Sequence, residues 1–355
     1  MNSSAQVSAK TSGKAQHILV IRFSAMGDVA MTVPVLSVLM HQYPELNVTV
    51  LTKQFFRPLF SHLPNVTIYE ADVEGIHSGV IGLGTLATEL RDEEIDAVAD
   101  LHDVLRTNVL RSLFYFYGIP FKQIDKGRAE KKALTRESGK EFKQLKSTHQ
   151  RYADVFESLG FPLDLSRYTP PAKRKLLAKI NDIVGKKNKK WLGIAPFAQH
   201  ESKCYPEDLM EEVIKDLSSR GDFKIILFGG GESEKEKLEN WEQKFSNTIS
   251  VVGKLRFTEE LSVISNLDVM LSMDSGNAHM AAIYGIPVVS IWGVTHPYAG
   301  FKAFNQPLEN CLLPDLESYP KIPTSVYGNK VPEGYEEVMR SIPPEMVVQK
   351  ILENL

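Results

Sequence analysis

Asp28, Lys203 and the run Asp274-Ser275-Gly276-Asn277-Ala278-His279 are the residues of this chain whose types and spacing best suit chemistry. Asp274 to Asn277 is turn and N-cap chemistry, Ala278 to Tyr284 is Ala-rich and helical, and Gly285 with Pro287 ends that helix. The apolar runs Val269 to Met273 and Val288 to Trp292 flank it as strands. A helix N-terminus, with free N–H groups and a positive dipole end, therefore opens at the C-terminal edge of a buried strand, a natural phosphate site. Ser275, Gly276 and Ala278 are small enough to let an anion reach the backbone, and Asp274 and His279 are expected as polar handles at the rim. Taken alone, the stretch also fits an ordinary βαβ crossover with a capping aspartate and a half-buried histidine.

A carboxylate on the opposite wall would complete a reaction in which phosphate leaves. Asp28 can deprotonate an attacking hydroxyl, while Lys203 and the backbone at Ser275 and Gly276 stabilise a departing diphosphate. Neither step calls for a metal, and no DxD pair is placed to hold one. Glu232, Glu234 and Thr295 are expected in the same crevice. Each has a plainer role beside this one: Asp28 as a helix cap, Lys203 as a solvated loop lysine, the two glutamates as favourable first-turn acids.

These groups need elements to position them. His17 to Arg22 is a near-continuous apolar strand; the loop Phe23 to Asp28 follows, and Val29 to Met40 carries a helical pattern, so Gly27 and Asp28 sit at a β-to-α turn. Further strands are expected at Asn47–Thr52, Asn65–Tyr69 and Ala97–Leu101, with helices at Leu86–Arg91, Val104–Tyr117 and His149–Leu159. A second series begins at Trp191–Ala195 and continues through Lys224–Phe228 and Thr248–Val252, with helices from Glu207, from Glu232 to Phe245, and over Thr258–Asn266 capped by Thr258. Strands alternating with helices mean doubly wound α/β domains, and 355 residues suit two of them. The expected division is a disordered tail over 1–16, a first domain over 17–172, a linker over 173–190 and a second domain over 191–342. A C-terminal helix over 343–355, with Pro344 at its start, is placed to pack back on the first domain.

Charge is balanced overall, at −3, which argues against a nucleic-acid binder. One segment departs from this: Lys122 to Arg151 holds ten Lys and Arg against four Asp and Glu. It is either a solvated helix face or an electropositive patch for an anionic acceptor or membrane surface. Cys204 and Cys311 are far apart with no metal or disulfide spacing, fitting a reducing cytoplasm. No apolar run approaches a membrane span, so any membrane contact is peripheral.

With these residues in view, the chain from about His17 to Gly300 resembles glycosyltransferase family nine, the ADP-heptose:lipopolysaccharide heptosyltransferases. Two motifs carry the likeness. One is Ile21-Arg22-Phe23-Ser24-Ala25-Met26-Gly27-Asp28-Val29 with Thr32 and Pro34; the other is Asp274 to His279 with Ala281-Ala282, Pro287, Trp292-Gly293 and Thr295-His296-Pro297. The resemblance implies a GT-B architecture, two Rossmann-like doubly wound domains facing a central cleft, with inverting, metal-independent sugar transfer and no cofactor. It implies catalytic roles for Asp28 and Lys203, and donor contacts from Gly27, Glu232, Glu234, Asp274, Ser275, Gly276, Asn277, His279, Trp292 and Thr295. Arg106 and the basic residues Arg128, Lys131 and Lys132 fall on the acceptor side. The implied partners are an ADP-sugar and an anionic lipid-linked saccharide at the inner face of the cytoplasmic membrane, with a monomer as the favoured state. A nucleotide-sugar 2-epimerase and a non-catalytic nucleotide- or glycan-binding protein share the fold and are the alternatives. The proline-rich stretch from Lys302 to Pro344 is longer than the resemblance leads one to expect.

Overall fold

The computed structural model describes residues 15–355, so the tail expected over 1–16 lies almost wholly outside the described residues. The first sheet is built from β1 (His17–Ile21), β2 (Asn47–Thr52), β3 (Val66–Glu70), β4 (Ala97–Asp100) and β5 (Phe121–Gln123). Its helices are α1 (Met26–Gln42), α2 (Gly79–Asp92), α3 (Leu105–Phe116), α4 (Arg128–Thr135) and α5 (Thr148–Glu157). A connecting helix, α6 (Ala178–Val184), leads to the second sheet: β6 (Lys190–Ala195), β7 (Phe223–Leu227), β8 (Thr248–Ser250), β9 (Val269–Met273), β10 (Val288–Ile291) and β11 (Cys311–Leu312). Its helices are α7 (Glu207–Ser219), α8 (Glu232–Lys244), α9 (Phe257–Ile264), α10 (Gly276–Ile283) and the terminal α11 (Pro344–Glu353).

Both sheets are parallel throughout, in the orders β3-β2-β1-β4-β5 and β11-β10-β9-β6-β7-β8. In each, the direction of strand addition reverses beside one central pair, β1 with β4 and β6 with β9. Loops leaving the C-terminal ends of those strands diverge there and leave a crevice, which is where open α/β sheets bind ligands. The first turn of α1, entered from β1, carries Asp28, and the segments after β6 and β9 carry Lys203 and Asp274.

Helix α1 explains why the two halves meet at that point. It is apolar on nearly every side because β-sheet, α5 and α10 all cover it. Its first turn lies against that of α10: a Cβ added at Gly27 would stand 3.5 Å from the Gly276 Cα, and one at Gly276 would stand 3.5 Å from the Gly27 N. Two glycines let the helix ends approach backbone to backbone. Arg174 makes a second bridge, donating to Pro58 O at 2.6 Å and to the Tyr284 hydroxyl at 2.6 Å.

Two expectations are corrected. Helix α11 packs on α7, not on the first domain; Val347, Val348 and Ile351 are buried in one apolar cluster with Met210, Val213 and Ile214. Those three side chains recur on one face of α11, and α7 presents the matching face at Met210, Val213, Ile214 and Leu217. Helix α9 is not capped by Thr258: Arg256 is the N-cap, and Glu259 reaches back to accept its N–H at 2.8 Å. The capping-box geometry needs the acid three residues after the cap, which selects Arg256.

Candidate functional site

The α10 end of the cleft has an open helix terminus. Ser275 is the N-cap, but its hydroxyl is engaged with Ser272 Oγ at 3.1 Å and no side chain caps the first N–H groups of the helix. Asp274, 8% exposed, does not cap the helix either. It accepts from Lys203 Nζ at 2.8 Å and from Thr295 Oγ1 at 3.1 Å. Thus Lys203 is brought to the helix end by Asp274, and Thr295, itself buried, acts through the same carboxylate. The proline-rich stretch closes over this pair: Ser202 donates to Gly328 O, and a Cβ at Gly328 would come within 2.6 Å of Lys203 Cδ.

Opposite, Asp28 is the third residue of α1. Its Oδ2 meets Arg22 Nη2 at 2.5 Å and accepts the Ala25 N–H at 3.4 Å. Arg22 is in turn pinned by donating Nη1 to Leu101 O at 2.6 Å, so the guanidinium fixes the direction of the carboxylate. Oδ1 has no hydrogen-bond partner among the described residues. Asp28 lines a cavity of about 210 Å³ together with Arg22, His102, Lys126, Lys131, Arg151 and Tyr327. Burial, with the charge of Arg151 adding to it, pulls the Lys131 ammonium down to about 8. Its Nζ stands 4.2 Å over the Phe301 ring. Burial likewise lowers Lys126, and drops His102 to about 3, so that imidazole is neutral in the working range.

The third part is a cavity of about 430 Å³ at the ends of β7 and β8, walled by Phe228, Gly229, Gly230, Gly231, Leu255 and Met280 and reaching Asn277 at the α10 end. Phe55 of the first domain stacks on Phe257 of the second at 4.7 Å between centroids and forms part of the same wall. Glu234 accepts the Gly230 N–H at 2.7 Å and so braces the glycine loop. Glu232 points to solvent and pairs with Lys235 at 3.4 Å.

Of the residues expected here, Gly27 meets Gly276 at the seam, Asp28 follows Gly27 on one side of it, Asp274 and Lys203 stand on the other with His279 feeling all three charges, and Glu232, Glu234 and Asn277 border the neighbouring cavity. Three are placed differently. Trp292 is 2% exposed and its indole N–H donates to Ser290 Oγ at 2.9 Å, so it is a core side chain. Thr295 reaches the cleft only through Asp274. His279 lies in the α1–α10 seam, not at the rim: it is 7% exposed, and its Cδ2 would sit 3.1 Å from a Cβ at Gly27. Burial lowers its pKa to about 4 although the Asp274 and Asp28 charges oppose that, and its Nδ1 has no partner among the described residues.

Five of the ten cations of the basic segment, Arg128, Arg136, Lys143, Lys146 and Arg151, are paired. Arg151 pairs with Glu130 at 2.8 Å, Lys146 with Asp154 at 2.6 Å and Arg128 with Asp103 at 2.5 Å, while Lys140 donates to the carbonyls of Lys321 and Pro323. Arg106 covers the Phe23 ring at 5.8 Å. Lys132 is exposed and, with Arg128, lines the outer groove. Arg22, Lys126, Tyr327, Phe55, Phe257 and Glu260 line these cavities and were not singled out by sequence. Arg22 stood inside the first motif and Lys126 inside the basic segment; for Tyr327 and Phe55, which pair with residues far away in the chain, no local signal existed.

Comparisons with known proteins bear on what this cleft does. Residues 83–328 match the family model described as glycosyltransferase family 9 (heptosyltransferase). The chain is 25% identical to lipopolysaccharide heptosyltransferase 3 of Escherichia coli K12 over 318 residues, 84% of this chain and 87% of that one. It is 26% identical to lipooligosaccharide heptosyltransferase 2 of Haemophilus influenzae, with 96% and 99% covered. Among solved structures, a family 9 glycosyl transferase from Veillonella parvula superposes with a TM-score of 0.74 at 19% identity, covering 96% of this chain and 97% of that one. The E. coli heptosyltransferase WaaC with ADP does so with a TM-score of 0.66 at 17% identity, covering 96% and 100%.

Proposed function

The chain belongs to glycosyltransferase family 9, the heptosyltransferases, with the GT-B fold, and from that premise we propose that it moves a heptose from an ADP-linked donor to an anionic, lipid-linked saccharide of the lipopolysaccharide core, with inversion and without a metal. The observation that carries the reading is the close approach of Gly27, the neighbour of Asp28, to Gly276 at the uncapped α10 terminus. Asp28 Oδ1 takes the proton of the acceptor hydroxyl as its oxygen bonds to the anomeric carbon. The bond from that carbon to the diphosphate breaks on the opposite face, and the electron pair leaves with the phosphate. Lys203 and the N–H groups at the start of α10 receive the charge that develops there. Support for the nucleotide comes from a relative of the same fold, the E. coli heptosyltransferase WaaC, whose solved structure is a complex with ADP. ADP-heptose, a core saccharide and the purified chain should together release ADP only when the acceptor is present; a new nucleotide sugar formed without acceptor would mean 2-epimerase chemistry instead.

Lys126, Lys131, Arg151 and Arg22 around the Asp28 cavity suit an anionic group on the acceptor. Peripheral membrane contact is supported by Ile81 and Leu105, which are 89% and 83% exposed near the starts of α2 and α3. Among the described residues no helix is long and apolar enough to cross a membrane.

Lys131 gives this reading a pH signature. Because burial disfavours its charged form, the ammonium is present below about pH 8 and lost above it. Acceptor KM should therefore be lowest below pH 8 and rise above it, while donor KM stays flat. Lys131→Met, which keeps the buried volume, should raise acceptor KM by about tenfold, the worth of one charge-assisted contact, and abolish the alkaline rise. Steady-state kinetics across pH 6.5–9.5 checks both; an alkaline limb unchanged in Lys131→Met would assign it to another group. At the exposed rim, Arg128→Glu and Lys132→Glu should weaken acceptor use by a smaller factor, about twofold to fivefold, and spare donor affinity.

A further inference from the structure

We infer that Glu260 is the residue by which this enzyme reads the nucleobase, its carboxyl oxygen accepting a hydrogen bond from an exocyclic amine. The inference rests on the reading that the cavity between β7, β8 and α9 takes the donor's nucleotide. That cavity is walled by aromatic and aliphatic side chains and glycine backbone, and it carries three glutamates. Two are engaged: Glu232 with Lys235 and Glu234 with the Gly230 N–H. The Glu260 side chain has neither a hydrogen bond nor an ion pair among the described residues. It projects from the first turn of α9, beside Phe257, whose ring is stacked by Phe55 from the other domain.

A half-buried acid without a partner is costly, and with the other two carboxylates of the pocket already engaged its partner must arrive from outside. Burial also raises its pKa, to about 7, which records how little surrounds it to stabilise charge. A cavity lined by the rings of Phe55, Phe197, Phe228 and Phe257 suits a base, and a carboxyl oxygen selects a base that presents an N–H at that edge. Adenine has its 6-amino group there. Hypoxanthine places an acceptor oxygen at the same position, and unsubstituted purine offers nothing.

Calorimetric titration of the full chain with ADP, inosine diphosphate and purine riboside diphosphate tests this. The native chain should prefer ADP over both analogues by about tenfold or more, the usual penalty for leaving a built polar contact unmet. Glu260→Ala should bind ADP about tenfold more weakly and no longer separate the three, since the contact is gone. Glu260→Gln should keep ADP within about threefold and gain inosine diphosphate, because a carboxamide can turn its NH₂ toward the 6-oxygen. A merely structural glutamate would not produce that gain. An ADP preference unchanged in Glu260→Ala would overturn the role of Glu260. The underlying reading fails differently: a Cβ at Gly230 meets nothing within 4 Å, so Gly230→Trp should fill the cavity and abolish all three ligands. Undiminished ADP binding in Gly230→Trp would mean that nucleotide binds elsewhere, and Glu260 would lose its role with it.

Discussion

Asp28→Asn should lower the rate of sugar transfer by about a thousandfold, within the range contributed by a positioned general base. In free energy this is about 4 kcal/mol of the barrier. The amide can still accept the Ala25 N–H and still meet the Arg22 guanidinium, so the loop after β1 keeps its shape. What it loses is the ability to take a proton. ADP affinity should stay within about twofold, because the proposed diphosphate contacts belong to the other wall. Rapid-quench measurement of transfer, paired with calorimetry of ADP binding, checks this. Loss of ADP affinity equal to the loss of rate would show that Asp28 acts on the donor and not on the acceptor hydroxyl. Arg22→Lys should reproduce part of the defect without removing the base, since a point charge cannot hold the carboxylate with the same planar geometry.

Lys203→Ala should damage the protein in two separable ways. Removing the lysine leaves Asp274, 8% exposed, with only Thr295 beside it. A buried ion pair broken on one side costs about 3–5 kcal/mol of stability. The leaving diphosphate also loses a cation, which should lower the rate by about a hundredfold. The double variant Lys203→Ala with Asp274→Ala removes the stranded charge. Its stability in urea denaturation should recover most of what the single change lost, while its activity stays low. If the double variant were as unstable as the single one, the Lys203–Asp274 pair would not be the contact that organises this wall.

Much of the scaffold was legible because its physics is local. Asn47–Thr52 is a strand at the expected residues, since an apolar run between polar turns has few other solutions. The turn at Asp274 was legible for the same reason, Gly and Ser before an alanine-rich helix. What escaped was non-local. Helix α11 presents an apolar face that would satisfy any apolar partner, and only the tertiary fold shows that α7 supplies it. Trp292 follows a strand buried on both faces, so no alternation in the sequence tells where its indole goes. His279, one helical turn in from Asp274, reads from the sequence as a polar handle at the rim. The glycine seam instead draws α1 over it. The proline-rich stretch offered no periodic pattern, yet it supplies β11 to the second sheet, lays Gly328 on Lys203 and brings Tyr327 to the Asp28 cavity. Charge in the basic segment was readable as a total, but not how many of those cations are already paired with Glu130, Glu141, Asp103 and Asp154.

The transfer we propose is a single displacement at the anomeric carbon, with Asp28 on one face and the diphosphate leaving from the other. The most direct measurement is the anomeric configuration of the product, read by NMR from coupling constants after transfer from ADP-heptose of known configuration to a core saccharide. A linkage of opposite configuration to the donor is the result this arrangement predicts; a product that retains the donor's configuration would contradict it.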